Sequence, residues 1–254
     1  MRLRQILPER VVSLQRVPGL EYVEGDSSRL RFGALATLRQ IERSQVVREH
    51  WPLLSEAIGS IVSVQTKAMG TAVGNVCVGT PASDLACALY ALGAGVTLAG
   101  AGGTREIPIE EFFVDSGMTA VNPHEIVTEI RVPRPPGGAA GAFMKLSKTA
   151  EDIAKVNVAV MLTLAAETCV NVRIALGSVA PTPVRASAAE AILLGVIVDE
   201  KAIQQAAGAA AESVTPISDV RSTAQYRKQM VGVLVRDCLE KAAARALSGQ
   251  GRGT

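Results

Sequence analysis

Aromatic side chains are scarce in this chain and make up 3% of its 254 residues. A hydrophobic core must therefore be built mainly from Ala, Val, Leu and Ile, within an apolar fraction of 48%. The chain also lacks an excess of either charge, because 26 basic residues face 24 acidic ones. Without a basic stripe or interleaved aromatic residues, the sequence predicts no binding of nucleic acid.

Cysteine and histidine are rare as well. The cysteines share no metal-ligand spacing, so we predict no zinc site, iron–sulfur cluster or other metal site in this chain; they are Cys77, Cys87, Cys169 and Cys238. We interpret them as free thiols in a reducing compartment, and we expect a cytoplasmic location. The two histidines, His50 and His124, lie at a helix junction and in a turn, so we assign no catalytic residue to this chain.

Long unbroken apolar runs are missing too. The uncharged stretch 85–104 contains five glycines that divide it into a short helix and a strand, so we predict no membrane span. Residues 1–12 carry charges among their apolar side chains, and we predict no signal-peptide core there.

Alternating and helical patterns follow one another through the first half of the chain. Alternation predicts strands over residues 11–15, 21–25 and 30–34, and helical spacing predicts helices over 37–60 with a break near Trp51-Pro52. A helix is predicted next over Asp84–Leu92, then a strand, a hairpin turning at Gly102-Gly103, and a strand over 126–132.

The sharpest change of composition is the segment RPPGG at residues 134–138, which we interpret as a linker between domains 1–133 and 139–254. Beyond it, three apolar runs predict strands, and three later segments predict helices over 185–194, 199–214 and 222–247. The predicted fold class is α+β, and the smaller C-terminal domain is expected to pack a three-stranded antiparallel sheet on helices.

The strongest candidate for a binding site is the stretch 69–93. A loop of glycine and small residues leads through Asn75 and Asp84 into an apolar helix, which suits a phosphate because backbone amides can approach it closely. Two interpretations stay open: a tight turn with Asp84 as helix cap, or a pyrophosphate loop with Asp84 bonded to a ribose hydroxyl. Lys145 is open in the same way, since a lysine at a strand start is usually solvated.

The order of the motifs is more specific than any one of them. The chain carries in succession GTAVGNVCVGTPASD, NPHEIVTEIRVP, AFMKLSKTAEDIAKVNVAV and IALGSVAPTPVRA. From about residue 8 to residue 245, it resembles the FAD-binding (medium) subunit of the molybdenum hydroxylases, which include xanthine and carbon monoxide dehydrogenases. The resemblance implies a partial FAD-binding domain of the PCMH/vanillyl-alcohol-oxidase-like type, followed by a C-terminal domain of the CO dehydrogenase flavoprotein type.

The resemblance also implies which residues contact the cofactor. The family's pyrophosphate loop falls on Thr71, Ala72, Val73, Gly74 and Asn75. Its Ser-Pro-x-x-Asp motif falls on residues 80–84, so Thr80 and Asp84 are implied to bind FAD. Val127 is implied to touch the isoalloxazine ring, and Lys145 to lie close to it.

This chain departs from the family pattern at two places. Val73 replaces the first of two paired glycines, so either this segment has ordinary dihedrals or its hold on pyrophosphate is looser. The family's N-terminal subdomain, with its Gly-Gly-Thr loop, has no counterpart in this sequence, so we expect the first domain to lack it.

By resemblance, the chain is an electron-transfer subunit of a complex. FAD would relay electrons from [2Fe–2S] clusters on a small subunit to NAD or another acceptor, after substrate oxidation at molybdopterin on a large subunit. The alternative is a non-catalytic assembly or scaffolding subunit with weak or no FAD binding, and the two departures motivate it.

Overall fold

The computed structural model describes residues 9–250 and gathers them around two antiparallel sheets. The prediction of no signal-peptide core falls in large part on residues 1–8, which lie outside the described residues.

The first part of the chain alternates short helices with short strands. Its elements are β1 (Val23–Gly25), β2 (Arg29–Gly33), α1 (Leu38–Arg43), α2 (Gln45–His50), α3 (Pro52–Gly59), α4 (Val64–Met69), α5 (Ala72–Cys77), α6 (Asp84–Leu92), β3 (Gly95–Gly100), β4 (Gly103–Pro108), α7 (Ile109–Phe112), β5 (Phe113–Asp115), β6 (Met118–Thr119) and β7 (Glu125–Pro133). The second part consists of β8 (Ala139–Leu146), β9 (Val156–Ala165), β10 (Thr168–Gly177), β11 (Val184–Arg185), α8 (Ser187–Leu193), α9 (Glu200–Glu212) and α10 (Ala224–Gln250).

The first sheet has the strand order β1-β2-β7-β3-β4, with β7 paired to both β2 and β3. One face carries alternating apolar residues such as Leu30 and Phe32 into a core that is otherwise mainly aliphatic. Trp51, the single tryptophan, is fully buried there, and its indole N–H donates to the carbonyl oxygen of Pro133 at 2.9 Å. Few aromatics are needed because the short helices α1–α3 supply Leu and Ile to this core.

The second sheet has the order β11-β10-β9-β8. Most of β9 and the second half of β10 consist of Val, Ile, Leu and Ala because both faces of the sheet are covered there. Helix α10, backed by α9, lies on one face, and α6 lies on the other. The expected three-stranded sheet on helices is therefore present, with the two-residue strand β11 added at its edge.

Helix α6 lies at the junction of the two domains and fixes the position of Asp84. All nine of its residues are buried, which requires apolar neighbours on every side. Ser83 caps its N-terminus, accepting from the amide of Ala86 at 3.0 Å, and Gly93 ends it in the left-handed conformation at φ 66°. The alternative that Asp84 is the cap is therefore wrong, because Asp84 is already inside the first turn.

Two further sequence predictions are wrong. Residues 11–15 form no strand, and Val11 and Val12 stay exposed because no neighbouring strand among the described residues offers them a ladder. The predicted loop at residues 71–75 belongs to helix α5 instead, since Thr71 supplies a cap and Val73 an apolar side chain for the core. The break at Trp51-Pro52 and the hairpin of β3 with β4 are confirmed.

Candidate functional site

The N-terminus of α5 is the segment that the resemblance assigns to pyrophosphate. Thr71 has extended backbone angles and its hydroxyl accepts from the amide of Gly74 at 3.0 Å, which starts the helix. A Cβ at Gly74 would lie only 2.8 Å from that hydroxyl, so glycine keeps the capped turn unstrained and its backbone accessible. The amide of Ala72 donates to the carbonyl of Ala36 at 2.9 Å. Val73 is buried within this helix, with ordinary helical dihedrals.

The chain then turns sharply between α5 and α6. Gly79 has φ 68°, and its carbonyl accepts from the amide of Gly117 in the hairpin of β5 with β6 at 2.9 Å. Thr80 follows, and its hydroxyl accepts from the amide of Ala82 at 3.4 Å. Ser83 closes the turn, because its hydroxyl donates to Asn75 Oδ1 at 2.6 Å while it caps α6. The two helices that carry the candidate residues are thereby tied to each other.

Asp84 and Lys145 form an ion pair across the junction of the two domains. Lys145 Nζ lies 2.9 Å from Asp84 Oδ2, and the two side chains are only 10% and 5% exposed. Ser60 donates to the same oxygen at 3.1 Å, and Asn157 Nδ2 donates to Oδ1 at 2.7 Å. Lys145 lies near the end of β8 and not at a strand start. Of the two alternatives left open for it, the solvated lysine is wrong, because its side chain is held by a carboxylate 61 residues away in sequence.

Val127 occupies a different environment from the other predicted residues. It lies on β7 opposite Leu98 and is 5% exposed, with its side chain in the first core. A bulge between Thr97 and Leu98 shifts the register at this point. The structure thus brings Asn75, Asp84 and Lys145 into one connected group, with Thr80 in the adjoining turn, whereas Val127 lies beneath α5 in the core.

A cavity of about 370 Å³ opens between the domains beside the turn before α6. Thr80 and Pro81 line it from the first domain, and Ser178 and Arg227 from the second. Ser178 has φ 64°, a strained value for a serine, and its amide donates to the carbonyl of Pro81 at 2.8 Å. Exposed Ile153 flanks the opening.

Arg227 braces the wall of that cavity and is 4% exposed. Its guanidinium donates to the carbonyls of Lys155 and Ser178 at 3.0 and 2.9 Å, and to Asp219 Oδ1 at 2.7 Å. Desolvation raises the pKa of Asp219, but hydrogen bonds from the Arg221 amide, Arg227 and the Ser222 amide outweigh it and lower that pKa to about 2.

Sequence reasoning missed four polar residues of this region: Ser60, Asn157, Ser178 and Arg227. Asn157 did leave a signal, because it is polar within the apolar run VNVAVMLTL. The others left none, since serines and arginines at helix ends and turns are common in any soluble chain.

The donor set fits a dinucleotide such as FAD. At the start of α5 the amides of Ala72, Gly74 and Asn75 already donate within the chain, so among the described residues of this helix the amide of Val73 is the one left to meet a pyrophosphate. A carboxylate has about four acceptor positions, and Asp84 uses three of them, so one remains for a hydroxyl group. Lys145 adds a positive charge, which suits a ring system that takes up electrons.

Comparison with known proteins gives two family matches. Residues 1–135 match the FAD binding domain in molybdopterin dehydrogenase, and residues 141–242 match the CO dehydrogenase flavoprotein C-terminal domain. In the part of the chain that the structure describes, no helix has both the length and the apolar character needed to cross a membrane.

Individual relatives agree with these matches. The carbon monoxide dehydrogenase medium chain of Afipia carboxidovorans is 33% identical over 97% of this chain and 85% of its own length. That of Hydrogenophaga pseudoflava is 34% identical over 96% of this chain and 85% of its own length. A solved carbon monoxide dehydrogenase from Hydrogenophaga pseudoflava, described as lacking the Mo-pyranopterin moiety of the molybdenum cofactor, superposes with a TM-score of 0.93 at 36% identity, over 96% of this chain and 85% of that one.

Proposed function

The chain belongs to the family of FAD-binding domains in molybdopterin dehydrogenases, and on that premise we propose that it is the electron-transfer flavoprotein subunit of a molybdenum-containing hydroxylase or dehydrogenase. Its partners are a small subunit with [2Fe–2S] clusters and a large subunit with molybdopterin. Electrons reach this chain from the small subunit and leave it to NAD or another acceptor. A cytoplasmic location for the complex is part of the proposal, in keeping with four free cysteines.

One observation carries this proposal: residues implied to bind FAD are joined by hydrogen bonds although they come from distant segments. The side chain of Asn75 accepts a hydrogen bond from Ser83, and Asp84, which follows Ser83 in the chain, forms an ion pair with Lys145. A stable core does not require such a polar group between two domains, because apolar residues would fill the space at lower cost. A cofactor that contacts both domains would explain why this polar group lies at their junction.

The roles we propose follow the geometry of each residue. The segment of Thr71, Ala72, Val73, Gly74 and Asn75 holds the pyrophosphate at the start of α5, where the Val73 amide is the donor left free among the described residues of that helix. Thr80 and Asp84 contact a ribose hydroxyl. Lys145 lies near the ring, and Val127 meets the ring through its main chain, because its side chain lies in the core. When bound, FAD supplies the ability to accept and donate electrons singly or in pairs. The chain orients it and places the Lys145 charge, which stabilises negative charge nearby. We also propose the domain limits 1–133 and 139–254.

An assembly subunit with weak FAD binding is the second candidate, and one observation favours it. Asp84 and Lys145 already satisfy each other, and Asp84 has a donor on each oxygen. The polar group is therefore complete enough to hold the two domains together without a cofactor.

The visible spectrum of the assembled complex separates the two candidates. The chain is purified with its iron–sulfur and molybdopterin partner subunits, and FAD per chain is measured after gel filtration and acid release. One FAD per chain is expected. An assembled complex whose chain is folded but carries no flavin would exclude the electron-transfer role and support the assembly role. Mixing the anaerobically reduced complex with NAD or with a quinone then identifies the acceptor.

A further inference from the structure

Asn157 occupies a fully buried position at the centre of the second sheet. It lies on β9, opposite Lys145 on one neighbouring strand and opposite Gly177 on the other. Directly opposed residues in adjacent strands point to the same face. The face concerned is the one that α6 covers, so Asn157 meets Asp84 across the domain junction.

The amide of Asn157 is held in a single orientation. Its Nδ2 donates to Asp84 Oδ1 at 2.7 Å, whereas its Oδ1 has no hydrogen-bond partner among the described residues. A Cβ built on Gly177 would lie 2.0 Å from that Oδ1, so the absence of a side chain at residue 177 makes room for the amide. Rotating the amide by half a turn would place its oxygen against the carboxylate, which is repulsive.

A buried carbonyl oxygen without a partner costs free energy, and the neighbours of Asn157 along β9 are valines. A valine or leucine would avoid that cost, so stability alone does not account for an asparagine here. Its one hydrogen bond goes to the carboxylate that pairs with Lys145.

We propose that Asn157 is a positioning residue for the cofactor site, one that orients the Asp84 carboxylate and thereby sets how Lys145 acts on a bound flavin. This inference rests on the proposed function. By holding Oδ1, the amide directs Oδ2 toward Lys145 and Ser60. Because Asn157 is neutral, it orients the carboxylate without adding charge, so the positive charge of this group stays with Lys145.

The inference is tested by two substitutions in the assembled complex, Asn157→Leu and Asn157→Asp. Asn157→Leu leaves Asp84 Oδ1 without its donor, and the affinity for FAD is expected to fall by about tenfold or more, as for loss of a hydrogen bond to a charged group. Asn157→Asp places a second carboxyl beside Asp84, and it is expected to lower the reduction potential of the bound flavin at pH values where both carboxyls are ionised. Gly177→Ala presses on the amide without removing it, and also on the Pro81 carbonyl 2.9 Å from the new Cβ, so it is expected to weaken FAD affinity in the same direction.

Asn171→Asp is the matched control. It adds the same charge to the same sheet at an exposed position six residues from Gly177 along β10, which is about 20 Å. This control is expected to leave both the FAD affinity and the flavin potential unchanged.

The outcomes separate the inference from the proposed function. A purely structural role for Asn157 would lower the melting temperature but leave the potential of the retained flavin and its affinity unchanged, and that result would overturn the inference alone. A wild-type complex without flavin would overturn the proposed function and this inference with it. If Asn157→Leu fails to fold, the affinity and reduction potential of the flavin in Asn157→Asp and Gly177→Ala decide between the positioning role and the structural role.

Discussion

Neutralising one member of the Asp84–Lys145 pair is expected to destabilise the chain more than neutralising both. The two side chains are 5% and 10% exposed and their charged atoms lie 2.9 Å apart. Asp84→Asn leaves a buried ammonium without a carboxylate, and Lys145→Met leaves a buried carboxylate with only two neutral donors. Removing one partner of a buried ion pair typically costs about 3–5 kcal/mol. That is a large part of the total of about 5–15 kcal/mol by which native proteins are stable.

The double variant Asp84→Asn/Lys145→Met has no unpaired charge. With its oxygen in the former Oδ1 position, the amide introduced at residue 84 can still accept from Asn157, while its nitrogen can donate to the hydroxyl of Ser60, whose proton goes to the carbonyl of Ala57. The methionine introduced at position 145 fills a volume similar to that of lysine. We expect the stability of this variant to lie within about 2 kcal/mol of the wild type. The two changes are therefore strongly non-additive, with a coupling free energy of at least about 4 kcal/mol.

The assay is urea denaturation of the whole chain followed by the fluorescence of Trp51, which is the single tryptophan and is fully buried. Lys67→Met is the control, because Lys67 is about as buried as Lys145 and pairs with the more exposed Glu42 within the first domain. That control is expected to be destabilising but additive with Asp84→Asn. Losses that simply add in the double variant, or single losses below about 1 kcal/mol as for a surface ion pair, would refute the reasoning.

Three further substitutions test other parts of the fold. The pKa of Asp219 is lowered to about 2 in the folded chain, so its carboxylate contributes stability above the unfolded pKa of about 4, and this contribution is lost as the pH falls toward 2. Asp219→Asn should therefore flatten the acid-denaturation curve between about pH 4 and pH 2. Gly79→Ala should lower the free energy of unfolding by about 1–2 kcal/mol, because φ is 68° and the new Cβ would lie 3.1 Å from the Gly117 backbone. The control Gly102→Ala, whose new Cβ would have nothing within 4 Å, should leave that free energy unchanged in urea titration. Val73→Gly should lower the melting temperature without tightening FAD binding, because Val73 is a buried helical residue; tighter binding measured by fluorescence titration would contradict this assignment.

The sequence pattern within a segment predicts those helices and strands that are set by the apolar pattern and the end residues of that same segment. The limits predicted for helix α6, Asp84–Leu92, are the observed ones because its apolar run ends at a glycine, although the residue that caps the helix is Ser83 and not Asp84. The strands of the second sheet were predicted because β-branched runs too short for a membrane span form buried strands. The family resemblance rests on the order of these elements together with their motifs.

Short helices were harder to predict from sequence. Helix α5 has only six residues, and Val73 and Gly74 near its start have low helix propensity, so the local sequence favours a turn. The helix forms because the Thr71 hydroxyl caps it and because Val73 and Val76 are buried against the first core. Tertiary packing thus decides a segment that sequence periodicity leaves open.

The polar group at the domain junction depends on pairings between distant parts of the chain. Lys145 meets Asp84 only because β8 is paired with β9, on which α6 packs, and Asn157 meets Asp84 only because its register on β9 places it opposite Lys145. A shift of one residue in that register would turn Asn157 to the other face of the sheet and leave Asp84 Oδ1 without a donor. Since register is set by the whole apolar pattern of β8 and β9, the geometry of the candidate site depends on the second domain as much as on the FAD-binding domain that contains Asp84. Substitutions that alter the packing of β9 are therefore expected to change FAD affinity even where they touch no residue of the first domain.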